Sequence, residues 1–169
     1  MDTIEAIRTR RSIRRFKNKE VSEAELKELL AAAMQAPSAV NEQPWHFVVI
    51  RDRTTLEKIP SIHIYASMAK EASAAILVCA DLNLEKAKGF WVEDCSAAVE
   101  NLLLAAHAKG LGAVWCGIYP NKERMVPFSE MFSLPPNVIP FALVPIGYPA
   151  EEKKPEDRYR PDRVHRDKW

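Results

Sequence analysis

The chain has 169 residues, 47% hydrophobic and 28% charged, with 24 Lys and Arg against 23 Asp and Glu. That length predicts one domain over residues 1–169 that buries roughly 70% of its unfolded surface, and the apolar fraction excludes a disordered chain. A net charge of +1 argues against a general nucleic-acid binder, which carries a basic excess.

The opening MDTIEAIRTRR sets Asp2 three residues before Glu5, a helix-capping spacing. Ile4 and Ile7 then give a short helix one apolar stripe. The segment is charged and lacks a signal-peptide apolar core, so a cytoplasmic protein is expected. Ser22 and Glu25 form a second capping box, and Leu26, Leu29, Leu30, Ala33 and Met34 follow at helical spacing up to Pro37. SAVNEQP is polar and turn-like, and WHFVVIRD reads as a strand, being β-branched and aromatic.

Thr54 to about Lys70 reads as a helix loosened near Pro60. AAILVCADL is a continuous apolar run, the pattern of a strand buried on both faces. Phe90 to Lys109 is the longest helical stretch, with Gly110 as its stop. Glu93 and Asp94 within it read as exposed or helix-start charges. GAVWCGIYP is a short strand or strand-to-loop piece, Asn121 caps a helix to about Phe132, and NVIPFALVPIGYP is a last strand that Pro140 and Pro145 push toward a sheet edge or an irregular ending.

Residues 150–169 carry seven Lys or Arg and six Asp or Glu, too polar for a core of their own. They are expected to form an extended arm that docks on a partner subunit. The longest uncharged apolar stretch, Ala72 to Ala80, is too short to span a bilayer. The order of elements predicts an α+β or α/β fold, with a central mixed sheet of four to five strands flanked by helices.

Three features could carry chemistry. Arg10, Arg11, Ser12 and Arg14 offer planar guanidinium forks and a hydroxyl that suit phosphate oxygens, with Arg158 and Arg160 in the arm as further cage members. The same cluster reads equally as a solvated basic face. PSAVNEQPW, Pro37 to Trp45, suits hydrogen bonding to a polar heterocycle, or is an ordinary helix-to-strand turn. GLGAVWCG, Gly110 to Gly117, has no GxGxxG, and its glycines more simply cap a helix and permit a bend. Cys79, Cys95 and Cys116 make no CxxC pair, and their odd number argues against a disulfide framework. His46, His63, His107 and His165 show no metal-ligand spacing with them, and no nucleophile motif is present. Cys116 reads as a packed small apolar residue.

Together RTRRSIRRF, APSAVNEQPWHFVVI, KGLGAVWCGIYP and the closing IGYP…KPEDRYRPDRVHRDKW resemble the nitroreductase family of FMN-dependent oxidoreductases, nearly end to end. The resemblance implies the nitroreductase-like α+β fold and an intertwined homodimer exchanging its C-terminal arm. It also implies FMN at the subunit interface, NADH or NADPH as co-substrate, and a small electron acceptor, with neither nucleic acid nor membrane as partner. By position it assigns Arg10, Arg11, Ser12 and Arg14 to FMN. It assigns Pro37, Ser38, Ala39, Asn41 and Gln43 to a segment contributed by the other subunit. Cys116 and Gly117 match the loop whose backbone faces the flavin N5 edge, and Arg158 and Arg160 match tail residues that reach the phosphate. The implied activity is hydride transfer from NAD(P)H to FMN and on to a nitroaromatic or quinone. A non-catalytic flavin carrier or sensor, or another FMN-dependent reduction, would use the same residues.

Overall fold

A computed structural model describing residues 1–169 gives, in chain order, α1 (Thr3–Thr9), α2 (Glu23–Ala33), β1 (Trp45–Ile50), α3 (Arg53–Ile62), β2 (Ala74–Asp81), α4 (Trp91–Ala108), β3 (Gly112–Ala113), β4 (Cys116–Gly117), α5 (Lys122–Met131) and β5 (Val138–Gly147). Local chemistry sets most of these boundaries. Asp2 accepts the Glu5 N–H at 2.9 Å to start α1. Ser22 and Glu25 cap each other at the start of α2: the Glu25 N–H donates to Ser22 Oγ at 3.2 Å and the Ser22 N–H to Glu25 Oε2 at 2.8 Å. At the end of α4, Gly110 takes φ +75°, which lets Leu111 N–H reach Ala106 O and Gly110 N–H reach His107 O, both at 2.9 Å. That left-handed stop is one an L side chain rarely adopts.

The strands form one sheet in the order β1-β2-β5-β3, with β4 also pairing β5. Every one of these pairings is antiparallel, because each excursion between paired strands re-enters at the end of the sheet it left. The mixed sheet expected from the sequence is therefore an antiparallel one, its parallel component a single bridge between Ser12 and Ala113. A second difference concerns β5. Its prolines suggested an edge, yet it is paired on both sides. Pro140 lies at the register shift between Val78 and Cys79 of β2. Pro145 lies between the stretches of β5 paired with β3 and with β4. Each missing N–H falls where the ladder is already interrupted.

Period-two alternation divides the sheet between two cores. From β2, Ala74, Ile76, Val78 and Ala80 pack under α2 and α4 with Leu26, Leu29, Val99 and Leu102. Ala75, Leu77 and Cys79 face the other way, toward α3 and α5, with Leu56, Ile59 and Phe128. The expected two-face burial of AAILVCAD is what the strand shows. Helix α1 departs from its reading: Ile4 and Ile7 are 57% and 53% exposed, and Ala6 is the buried residue. A small side chain suits the side of a helix that approaches a neighbour closely. Pro60 does not break α3, which continues to Ile62 and ends with the His63 N–H on Ile59 O at 3.0 Å. No helix is long and apolar enough to cross a membrane.

Candidate functional site

Residues 10–16 run beside β3. The Ile13 N–H donates to Ala113 O at 3.0 Å. This approach needs glycine at 112, since a Cβ there would stand 2.6 Å from Ile13 Cγ2. The root of the C-terminal arm is stitched onto the same segment. Glu151 Oε1 accepts the Arg14 N–H at 2.5 Å and the Arg15 N–H at 3.2 Å, and Lys153 Nζ donates to Ser12 O at 2.7 Å. The Arg14 N–H, first among several donors, holds the Glu151 carboxyl below the ordinary glutamate range. Arg11 Nε and Nη2 donate to Lys154 O at 3.1 Å and Glu156 O at 3.4 Å. Arg8, Arg10 and Arg11 thereby meet Arg158 and Tyr159 around a pocket of about 760 Å³. Arg160 stays outside it and forks onto Asp162 at 3.0 Å. Beyond the root the arm is exposed, and Trp169 stacks only on His165.

A second pocket, of about 240 Å³, unites Arg14 with Cys116 and Gly117. Its other walls are Trp115, His63, Tyr65 and Arg124. Ile118 N–H donates to Phe141 O of β5, so strand alternation turns the Gly117 N–H and C=O away from that strand. The Gly117 carbonyl accepts Arg124 Nη1 at 2.8 Å and lies 3.0 Å from His63 Nε2. A carbonyl only accepts, so His63 carries its proton on Nε2, and its buried Nδ1 is left without a partner. Burial pushes the His63 pKa down, opposed by the Gly117 contact and helped by Arg124, which keeps the ring neutral. Nothing lies within 4 Å of where a Gly117 Cβ would be, so the Cβ side of this residue is open. Cys116 is buried, with its thiol 3.8 Å from Tyr65 O, and burial pushes its pKa up to about 11. It is a packed, protonated thiol, as the sequence suggested.

The third group stands apart from both. Pro37, Ser38 and Ala39 open onto a depression beside Phe90 and Ala97 that shares no residue with either arginine pocket. Val40, Asn41 and Gln43 adopt φ of 45°, 55° and 47°, a region that non-glycine residues enter only when held there. The Gln43 N–H donates to Ser38 Oγ at 3.1 Å and its amide to Asn41 Oδ1 at 2.8 Å. The Ala39 N–H donates to Asp94 Oδ1 at 2.9 Å. Asp94 does lie in the first turn of α4, as a helix-start charge, but it is not exposed: it is 4% exposed and tied to this loop.

The predicted residues therefore occupy three places within one protomer: Arg10, Arg11 and Arg158 in one pocket, Arg14, Cys116 and Gly117 in another, and Pro37, Ser38 and Ala39 in a separate depression. The sequence reading passed over His63, Tyr65 and Arg124. Arg124 had a signal: a cation in the first turn of α5 opposes the helix dipole and invites a tertiary reason.

The comparisons with known proteins agree with one another. The Nitroreductase family profile matches residues 7–89 and 63–148. A provisional NADH dehydrogenase/NAD(P)H nitroreductase of Methanothermobacter thermautotrophicus is 54% identical over the whole chain and 88% of its own length. The crystal structure of a provisional NADH oxidase from Clostridium acetobutylicum superposes with a TM-score of 0.93 at 43% identity, covering 99% of this chain and 100% of that one. A provisional nitroreductase from Desulfovibrio desulfuricans, solved in complex with FMN, superposes with a TM-score of 0.87 at 31% identity, covering 100% and 98%. An arginine segment running along β3, a pocket that joins Arg14 to Gly117, and likeness along the full length converge on one conclusion: the chain belongs to the nitroreductase family.

Proposed function

We propose that the protein is an FMN-dependent oxidoreductase that alternately oxidises NADH or NADPH and reduces an electron-poor acceptor, such as a nitroaromatic or a quinone, at one site. FMN supplies hydride chemistry that no side chain carries, so a site without nucleophile or metal ligands fits the assignment. One observation carries this reading. The pocket lined by Gly117 also holds Arg14. A flavin ring needs both a backbone donor at its N5–O4 edge and a cation near its N1–O2 edge.

The chain's own residues then divide the work. The Gly117 N–H orients the ring. Arg124 and His63 hold the Gly117 carbonyl and so fix that peptide. Arg14 stabilises negative charge, while Arg10, Arg11 and Arg158, with Ser12, grip phosphate. A pocket of about 240 Å³ falls below the usual range for a bound cofactor, about 300–1,000 Å³. The remaining walls are assigned to a second copy of the chain, whose Pro37, Ser38, Ala39, Asn41 and Gln43 close the site and whose arm, residues 150–169, wraps its neighbour. Exposed Ile4, Ile7, Tyr159 and Trp169 support such a homodimer. Three free, buried cysteines support a cytoplasmic location.

The test is anaerobic addition of NADH or NADPH to the purified, flavin-loaded protein. Bleaching of the visible flavin bands, reversed by a nitro compound or quinone, is expected. Flavin bound but never bleached by either nucleotide makes the protein a carrier or sensor instead. Parallel double-reciprocal lines are expected in steady state, and intersecting lines would overturn the alternating, shared-site scheme.

A further inference from the structure

Resting on the reading above, in which the Ser38–Gln43 loop touches FMN, we propose that Glu42 and Asp94 share one proton and act as a pair of positioning residues that lock this loop onto the start of α4. Both carboxyls are buried, at 5% and 4% exposure. Glu42 Oε2 accepts the Lys86 and Ala87 N–H groups at 2.6 and 2.8 Å, and Asp94 Oδ1 accepts the Ala39 N–H. The two remaining oxygens, Glu42 Oε1 and Asp94 Oδ2, are buried without any donor. The Ala39 peptide ties the two residues together: its N–H donates to Asp94 Oδ1 and its carbonyl accepts the Glu42 N–H at 2.9 Å. Two ionised carboxylates cannot hydrogen-bond to each other, whereas one proton between them satisfies both orphaned oxygens.

The donors decide where the proton resides. Burial works against ionised Glu42, but the Ala87 and Lys86 N–H groups outweigh it and hold Glu42 below the ordinary glutamate range. Burial pushes Asp94 up, the single Ala39 N–H opposes it, and the Glu42 charge pushes further. Asp94 is the protonated partner. Among the groups facing the pair, the Lys86 ammonium on the preceding turn favours charge on Glu42, and the Glu93 carboxylate on α4 disfavours charge on Asp94. The Cys95 thiol, held at about 12 by burial, stays neutral.

The sign follows. An acid raised by folding binds its proton more tightly in the closed loop than in the released one. The lock is complete where Asp94 is protonated and Glu42 ionised; it weakens as pH rises from the ordinary aspartate range through the raised value of Asp94, and also as pH falls through the lowered value of Glu42. The left-handed Val40, Asn41 and Gln43 then lose the bridge that holds them.

Asp94→Asn keeps an acceptor for Ala39 and offers a permanent donor to Glu42, so it copies the locked state without a titrating proton. FMN dissociation constants are measured by fluorescence across about pH 5 to about pH 9 for the wild type, Asp94→Asn and Asp94→Ala, with amide hydrogen exchange at Ala39 and Ala87 in the same samples. In the wild type, affinity is expected to weaken with pH relative to Asp94→Asn, by up to about tenfold per unit, the one-proton limit. Exchange at Ala39 and Ala87 should rise in parallel. Asp94→Asn should stay tight, and Asp94→Ala should be weak throughout. An Asp94→Asn protein with the wild-type pH profile, or one as weak as Asp94→Ala, overturns the shared proton. Loop amides that open with pH while FMN affinity does not follow uphold the lock and overturn the loop's assignment to FMN.

Discussion

One methyl group added at Gly112 tests how the arginine segment is held. The new Cβ would meet Ile13 Cγ2 at 2.6 Å and Ile13 Cβ at 2.8 Å, against an ordinary carbon contact of about 3.5–4.0 Å. Residues 12–14 must then retreat by about 1 Å, or β3 must give way by the same amount. The retreat stretches the 3.0 Å bond from the Ile13 N–H to Ala113 O beyond useful length. Overpacking of this kind costs about 1–3 kcal/mol. The same shift carries Arg11 and Arg14, and loss of one charge-assisted contact, about 1.5–3 kcal/mol, weakens FMN roughly 10- to 150-fold. Urea unfolding reports the first effect and quenching of flavin fluorescence the second. Gly117→Ala is the matched control, because nothing lies within 4 Å of its Cβ and its φ is not positive. It should leave stability within about 0.5 kcal/mol yet reduce FMN affinity by filling the space on the Cβ side of Gly117. A Gly112→Ala protein as stable and as tightly flavinated as the wild type would refute the reasoning.

Three further outcomes are expected. Glu25→Ala should cost about 1 kcal/mol by thermal unfolding, since Glu25 closes the cap on Ser22 and accepts the Tyr148 hydroxyl at 2.8 Å. The Ser22 side chain, then its N–H and Tyr148, hold Glu25 below the ordinary glutamate value. The wild-type advantage should therefore be complete above that value and fade as pH falls through the depressed one; a difference constant in pH would count against it. FMN should bind far more tightly than riboflavin, because Arg10, Arg11 and Arg158 converge; equal affinities by titration would remove their phosphate role. Deleting residues 157–169 spares the carbonyls of Lys154 and Glu156 that hold Arg11, so unfolding should shift by less than about 0.5 kcal/mol while dimerisation and flavin retention fall. A truncated chain that stays dimeric and yellow would show the outer arm to be dispensable.

What could be read in advance followed from local chemistry. Capping at Asp2, Ser22 and Asn121, the Gly110 stop and the unbroken apolar run of β2 each depend on near neighbours in the chain. The errors were tertiary. Pro140 and Pro145 looked like edge residues because their tolerance depends on gaps in other strands. Asp94 was placed rightly at the helix start, but its burial was not legible because its partner, the Ala39 N–H, lies in a distant turn. Ile4 and Ile7 looked like a core stripe although α1 buries only Ala6. Of the site, the arginine segment was legible as a density of guanidinium groups. His63 and Arg124 were not, since their work is done on a peptide carbonyl that sequence spacing cannot locate.

The placement of β5 between β2 and the short strands bears on biosynthesis. A nascent chain can pair β1 with β2 before residues 138–147 leave the ribosome, so the inner rim of β2, buried along its length in the finished protein, waits uncovered while the 56 residues between Asp81 and Val138 are added. The sheet closes only when nearly the whole polypeptide has emerged, a demand that favours holdase chaperones and penalises premature termination.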